Sequence, residues 1–286
     1  MDELLRGPAL DRHGSAADLA RALDFQHAFA RRKAPRWVPV PGGFAVLDDR
    51  YPGSYDDNKL IVSSPSGLEE TFEDTFEDTF EDTFEDTEKA AHALLAAADE
   101  VLAGHEHRMV CVDDDRLGTA LAPAFAAAGY ERETNLVMAF HGEIPDDPPP
   151  ADRLSLEELV PVLRRDWRHT LPDAPDEVID RLAVRVEARL RGADDVTSWG
   201  ARTPDGEIAA RADLYVHGGV AQIESVFTSP ARRGRGHARI LMTALLAKAA
   251  QAELIFLVAD TDDWPRHFYT RLGFTPIGHT HTFLRT

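Results

Sequence analysis

Val220-Ala221-Gln222-Ile223-Glu224-Ser225-Val226-Phe227-Thr228-Ser229-Pro230-Ala231-Arg232-Arg233-Gly234-Arg235-Gly236-His237-Ala238-Arg239-Ile240-Leu241 is the most informative stretch of the chain. Residues 220–227 form an apolar run that reads as a strand, and residues 238–252 carry a strong helix pattern. The connection between them holds Gly234, Gly236 and three arginines. Glycine lets a backbone turn tightly and approach a ligand closely. The helix that follows opens with unpaired N–H groups and the positive end of its dipole. Strand, glycine loop and helix start together make a site for a phosphate or pyrophosphate.

Two common phosphate loops do not fit. A dinucleotide fingerprint would need a third glycine where Arg239 stands, and a P-loop would need a Gly-Lys-Ser/Thr ending. The spacing Arg233-x-x-Gly236-x-Ala238 is similar to the R/Q-x-x-G-x-G/A loop of the GCN5-related N-acetyltransferase (GNAT) family. Further on, Phe268-Tyr269-Thr270-Arg271-Leu272-Gly273-Phe274 resembles that family's Y-x-x-x-G-F segment. The order strand, loop, helix, strand over 254–259, helix, Tyr, Gly-Phe is also the family's order.

The resemblance implies an α+β fold and acetyl-CoA as co-substrate. It assigns the pyrophosphate to Arg233, Gly234, Arg235, Gly236, His237 and Ala238, and backbone contacts with the acetyl-pantetheine arm to Val226, Phe227 and Thr228. It makes Glu224, on the strand before the loop, the base that receives the amine proton, and Tyr269 the acid that protonates the departing thiolate. Both have ordinary structural readings too: an exposed or ion-paired strand glutamate, and a packing tyrosine. Asp263 stands where the family often has Asn, and Arg266 where it often has Ala. Asp263 can still accept hydrogen bonds from the cofactor arm.

Composition sets the frame. A chain of 286 residues is long enough for two domains, and 43% hydrophobic with 28% charged residues is the balance of a soluble globular protein. No run reaches the length of a membrane span, and Met1-Asp2-Glu3-Leu4-Leu5-Arg6 lacks a signal peptide's regions, so the expected location is cytoplasmic. One cysteine, Cys111, rules out an internal disulfide framework and reads as a buried packing residue. The net charge of −19 argues against nucleic acid as a partner. From Ala151 onward there are 19 acidic and 18 basic residues, so the excess lies in the first half.

Gly142-Glu143-Ile144-Pro145-Asp146-Asp147-Pro148-Pro149-Pro150 stops both helix and sheet and marks the expected boundary. The expected organisation is two GNAT-like domains, 1–145 and 151–286. Each is a mixed, mostly antiparallel sheet flanked by helices. In the second, residues 159–168 and 177–191 read as helices and 196–201, 207–216, 220–227, 254–259 and 276–284 as strands. In the first, strands are expected at 44–47, 60–62, 108–112 and 135–140, with a helix at 117–128. This half keeps the element order without the phosphate loop, so it reads as a degenerate copy, a layout similar to that of mycothiol synthase.

Thr-Phe-Glu-Asp occurs four times from Thr71 to Asp86, and with Glu69 and Glu70 it supplies ten acidic residues. On a helix, a period of four would set Phe72, Phe76, Phe80 and Phe84 on one slowly drifting stripe. The stripe is either a tandem expansion in a tolerant surface segment or a docking face, including one for a homodimer. No Asp/Asn-Gly ligand loop accompanies the carboxylates, so calcium is not expected. The pairs His105/His107 and His279/His281 lack an evident third ligand, so no metal is expected. No Gly-x-Ser-x-Gly elbow supports hydrolase chemistry.

The combined expectation is an acetyl-CoA-dependent N-acetyltransferase acting on a primary amine of a small molecule or a peptide, without a membrane partner. The acidic first half could draw in a cationic acceptor. The alternatives are a mycothiol-synthase-like acetyltransferase and a non-catalytic acyl-CoA-binding or scaffold protein.

Overall fold

The computed structural model describes residues 12–63, 80–261 and 265–286. The first half contains α1 (Arg12–Lys33), β1 (Arg36–Val40), β2 (Gly43–Leu47), β3 (Lys59–Val62), α2 (Phe80–Val101), β4 (Arg108–Val112), α3 (Asp115–Ala127) and β5 (Glu131–Phe140). The second contains β6 (Asp152–Leu154), α4 (Leu156–Thr170), α5 (Asp176–Val184), α6 (Val186–Arg189), β7 (Asp195–Arg202), β8 (Ile208–His217), β9 (Val220–Thr228), α7 (His237–Lys248), β10 (Leu254–Asp260), α8 (Pro265–Thr270) and β11 (Phe274–Arg285).

All strands among the described residues join one eleven-stranded sheet, in the order β1-β2-β3-β4-β11-β5-β10-β9-β8-β7-β6. Two pairs are parallel, β3 with β4 and β9 with β10. A parallel pair needs a crossover, and each has a helix between its strands, α2 in the first half and α7 in the second. The remaining pairs are antiparallel. The expected mixed, mostly antiparallel α+β architecture is what the chain adopts.

The centre of the sheet holds what sequence order does not suggest. The two halves exchange their last strands. β11, from the second half, pairs with β4, and β5, from the first half, pairs with β10; β5 and β11 then pair with each other. The hydrophobic cores interleave accordingly. Leu136 and Met138 of β5 are buried in the core of the second half, and Phe283 of β11 in that of the first. On the other side, α1 lays Ala22 and Phe25 against Phe256 and Ile277, and the Phe29 ring stacks on Tyr215 at 4.5 Å.

Gly273 shows what the Gly-Phe segment does for this seam. Its φ is +101°, and a Cβ there would stand 2.9 Å from the Cα of Gly142. Its carbonyl accepts the His141 N–H at 3.0 Å. The end of β5 and the start of β11 therefore meet at a distance only glycine permits.

Several boundaries differ from the pattern reading. The helix expected over 177–191 is two pieces: the chain tightens after Arg185 into i→i+3 bonds, such as Ala188 N–H to the Arg185 carbonyl at 3.0 Å. α7 stops at Lys248, and the chain turns so that Glu253 N–H reaches the Gly219 carbonyl at 2.8 Å. α1, β1 and β6 complete the sheet and its cover without having been expected. Phe72 and Phe76 lie outside the described residues, as do the side chains of Phe80 and Phe84, so the proposed stripe does too.

Because β5 lies between β10 and β11, residues 151–286 alone lack the strand that joins their own sheet. Expressed by itself, that segment should show no cooperative thermal transition, and co-expression with residues 1–150 should restore one. A separately folded, cooperatively melting 151–286 monomer would contradict the exchange.

Candidate active site

The site begins where β9 and β10 separate. They pair only at Val220–Leu254, Ala221–Ile255 and Gln222–Phe256. Beyond that point β9 stays bonded to β8 and β10 to β5, so the two strands are pulled to opposite sides. A bulge enforces the bend: Ser225 and Val226 of β9 stand opposite the single residue Ala212 of β8. Ser225 has φ +56°, the one positive value at a non-glycine residue among those described. Three contacts hold that strained position. Arg189 donates to the Ser225 hydroxyl at 2.9 Å, Arg211 donates to its carbonyl at 3.3 Å, and Ser225 N–H donates to Glu224 Oε1 at 3.1 Å. In the first half β3 and β4 pair up to Val62–Val112, where both strands end, and Asp113 N–H adds a bond to the Val62 carbonyl.

The two arginines are themselves fixed. Arg189 meets Asp213 at 2.8 Å, and Asp213 also accepts from Ser198 Oγ at 2.6 Å and Tyr215 Oη at 3.1 Å. Arg211 meets Asp166 of α4 at 2.9 Å. Glu224 sits at the apex of the parting strands, with Gln222 Nε2 donating to its Oε2 at 2.8 Å. Desolvation pushes the Glu224 carboxyl up from its ordinary value, against the pull of Arg189 and of the Ser225 N–H.

Beside Glu224 opens a cavity of about 270 Å³. Val226 and Phe227 of β9 form one wall, and Leu163, Trp167, Leu182 and Val186 of the α4–α6 helices form the other. Arg185, Arg189 and Arg211 border it, and so does Asp56 from the first half. Arg185 donates to Ser54 Oγ at 2.5 Å and lies 3.4 Å from Asp56, so the cavity straddles the two halves. Desolvation would raise the Asp56 carboxyl, yet Lys59, Arg185 and Lys33 together hold it well below the usual carboxylate range.

Beyond β9 the chain makes a 3₁₀ turn over Pro230–Arg232 and enters the glycine loop. Gly234 and Gly236 have φ of +73° and +85°, and a Cβ on either would meet nothing within 4 Å. The space in front of this backbone is open. The first bond of α7 runs from Ile240 N–H to the Gly236 carbonyl at 3.0 Å, leaving the N–H groups of His237, Ala238 and Arg239 ahead of it. His237 Nδ1 is buried with no hydrogen-bond partner among the described residues. Arg233, Arg235 and Arg239 are exposed, whereas Arg232 is drawn to Glu207 at 2.5 Å. A cradle of free N–H groups, an orphaned imidazole nitrogen and exposed guanidinium groups fits a diphosphate with an attached polar arm.

The structure brings Glu224, Val226 and Phe227 to one cavity and runs directly from Thr228 into the loop of residues 233–238. Tyr269 is buried in the core of the second half, its ring tilted against Phe268 at 5.4 Å and edge-on to Phe274 at 6.1 Å. Asp263 lies outside the described residues. His279 and His281 share one carboxylate, Asp115, at 3.8 and 2.9 Å, and the buried His107 meets the Asn58 carbonyl at 2.9 Å. No group of three metal-ligating side chains occurs among the described residues. Cys111 is half-buried, and desolvation pushes its thiol up. No helix among the described residues is long and apolar enough to cross a membrane.

Sequence reading missed Arg185, Arg189, Arg211, Asp213 and Asp56. Two signals were present. Arg185 and Arg189 are one helical turn apart, and Arg211 and Asp213 put charges on one face of an otherwise apolar strand. Asp56 sits in a loop and carries no local signal.

Residues 156–274 match the model of the acetyltransferase (GNAT) family. No match was found among curated proteins. Among solved structures, a GCN5-related N-acetyltransferase from Kribbella flavida is similar over 93% of this chain and 94% of its own, at 17% identity and a TM-score of 0.55. A tandem GNAT protein from the clavulanic acid biosynthesis pathway is similar over 70% of this chain and 69% of its own, at 17% identity and a TM-score of 0.46. A putative GNAT-family acetyltransferase from Novosphingobium aromaticivorans DSM 12444 matches at 22% identity and a TM-score of 0.40, covering 54% of this chain, which spans 64% of that protein.

The open cradle at Gly236 yields a direct test. Gly236→Asp places a side chain and a negative charge where a diphosphate would lie. Calorimetry should show acetyl-CoA binding weakened at least about tenfold, or about 1.4 kcal/mol. Unchanged affinity in a folded variant would put the diphosphate elsewhere.

Proposed function

With a domain of the acetyltransferase (GNAT) family at residues 156–274, we propose that this protein is an N-acetyltransferase that uses acetyl-CoA to acetylate a primary amine of a small molecule or peptide. The observation that carries this reading is the parting of β9 and β10 beside a cavity and a glycine loop, with Glu224 at the apex. Acetyl-CoA supplies the acetyl group as an activated thioester. Each remaining task falls to the chain itself.

Arg233, Gly234, Arg235, Gly236, His237 and Ala238 hold the diphosphate through backbone N–H groups and exposed side chains. The edge of β9 that faces the gap, at Val226, Phe227 and Thr228, has backbone groups left unpaired by β10, and an extended arm of amide groups satisfies them as a strand would. An alkyl amine, with a pKa near ~10, is protonated at neutral pH and cannot attack until it loses a proton. Glu224, raised by desolvation, is suited to take that proton. The new bond forms between the amine nitrogen and the acetyl carbon as the carbon–sulfur bond breaks, and Tyr269 Oη returns a proton to the sulfur. The reaction takes place in the cytoplasm, where acetyl-CoA is available.

The pH profile of kcat/KM tests the assignment of Glu224. Activity should rise with pH on a limb whose midpoint lies above the ordinary carboxylate value of about 4.3, because the raised carboxyl must first lose its proton. In Glu224→Gln that limb should vanish and kcat should drop by about 10². Tyr269→Phe should bind acetyl-CoA normally while kcat falls. A Glu224→Gln enzyme with an unaltered profile would remove Glu224 from the reaction. Acetyl-CoA binding without acetylation of any member of an amine panel, read by mass spectrometry, would favour a non-catalytic acyl-CoA-binding protein.

A further inference from the structure

The cavity beside Glu224 contains charged groups that the acetyl-transfer steps do not use. Their accessibility decides which of them a ligand could reach. The side chains of Arg185, Arg189 and Arg211 are only 10%, 20% and 12% exposed, whereas that of Asp56 is 50% exposed. Arg189 and Arg211 already have close carboxylate partners, Asp213 and Asp166. Among the described residues, no cation lies that close to the Asp56 carboxylate. Its contacts are Arg185 at 3.4 and 3.5 Å and Lys59 at 3.7 Å, all longer than a good charge-assisted hydrogen bond. The neighbouring carboxylate, Asp57, is 5% exposed and bound by Lys33 at 2.7 Å. Each oxygen of Glu224 accepts one hydrogen bond, from Gln222 or from the Ser225 N–H, which leaves each a further acceptor site for the reacting amine.

We infer that Asp56 of the first half is a specificity-determining residue of the active site, and that the acceptor carries a second cationic group, joined to its reacting amine by an apolar spacer. This rests on the acetyltransferase reading of the same site. The reacting amine lies at Glu224, the second cation meets Asp56, and the spacer packs on Leu163, Trp167, Leu182 and Val186. The two carboxylates are tuned apart as such a division of roles requires. Asp56 is kept ionised by its cationic neighbours, and Glu224 is pushed toward the protonated form by desolvation. The inference also gives the first half a part in the reaction.

The full-length protein is assayed with 1,4-diaminobutane, 1-aminobutane and 4-aminobutanoate as acceptors, and binding of each is measured by calorimetry without acetyl-CoA. The diamine should have a kcat/KM at least about tenfold above that of the monoamine, and should bind more tightly. In Asp56→Asn the ratio of diamine to monoamine should fall to about 1, and Asp56→Glu should restore part of it. A ratio within one preparation is unaffected by partial loss of folded protein. Acetylation with no preference for the diamine, or with a preference that Asp56→Asn leaves intact, overturns the inference and leaves the acetyltransferase reading standing. Preference for 4-aminobutanoate also overturns it and assigns recognition to Arg185. Asp56-dependent binding of the diamine without any acetylation supports the cation site and refutes the acetyltransferase reading. Absence of both binding and acetylation of the diamine overturns the inference.

Discussion

The separation of β9 from β10 after Gln222–Phe256 is the constraint on which the rest of the site depends. Strands keep their backbone groups paired when they can, so a gap in the middle of a sheet needs a cause. Here the cause has two sides. β10 is drawn away by five residue pairs with β5, and β9 is bent by the bulge at Ser225 and Val226 while remaining on β8. The strained Ser225 is pinned at its hydroxyl, its carbonyl and its N–H by Arg189, Arg211 and Glu224. Glu224 thereby combines two roles. It supports the bend and also presents a desolvated carboxyl at the point where the strands part.

The strand exchange makes the first half indispensable to this geometry. β5, which draws β10 aside, belongs to the first half, and the same half contributes Asp56 to the cavity. Arg185 connects the sides through Ser54, Asp56 and Asp57 from the point where α5 gives way to α6. Lys33 of α1 is buried against Asp57, and desolvation lowers its pKa despite that partner. A buried ion pair of this kind is costly to break from one side, so it holds the loop of residues 54–57 on α1, where Arg185 of the second half meets it. The shape of the cavity is therefore a property of the whole sheet.

Much of this was legible in residues 220–241 and 268–274. The apolar run, the two glycines and the apolar helix gave β9, the loop and α7 within a few residues, because each follows from local backbone preference. The Gly-Phe segment was legible as a motif, and the structure supplies its physical reason in the contact of Gly273 with Gly142. The strand exchange was not legible. Alternating apolar residues in β5 and β11 specify a buried strand but not its neighbour, since either partner satisfies the same ladder. The clamp on Ser225 was hidden for a related reason. Arg189 comes from α6, Arg211 and Asp213 from β8 and Ser225 from β9, and only the folded sheet brings them together.

Hydrogen–deuterium exchange with and without saturating acetyl-CoA examines the parted strands most directly. Slowed exchange is expected at the backbone N–H groups of residues 226–228 and 234–239, with residues 60–62 and 110–113 of the first half unchanged. Slowing in the first-half strands with none across residues 226–239 would contradict the placement of the cofactor, and with it the role given to the gap between β9 and β10.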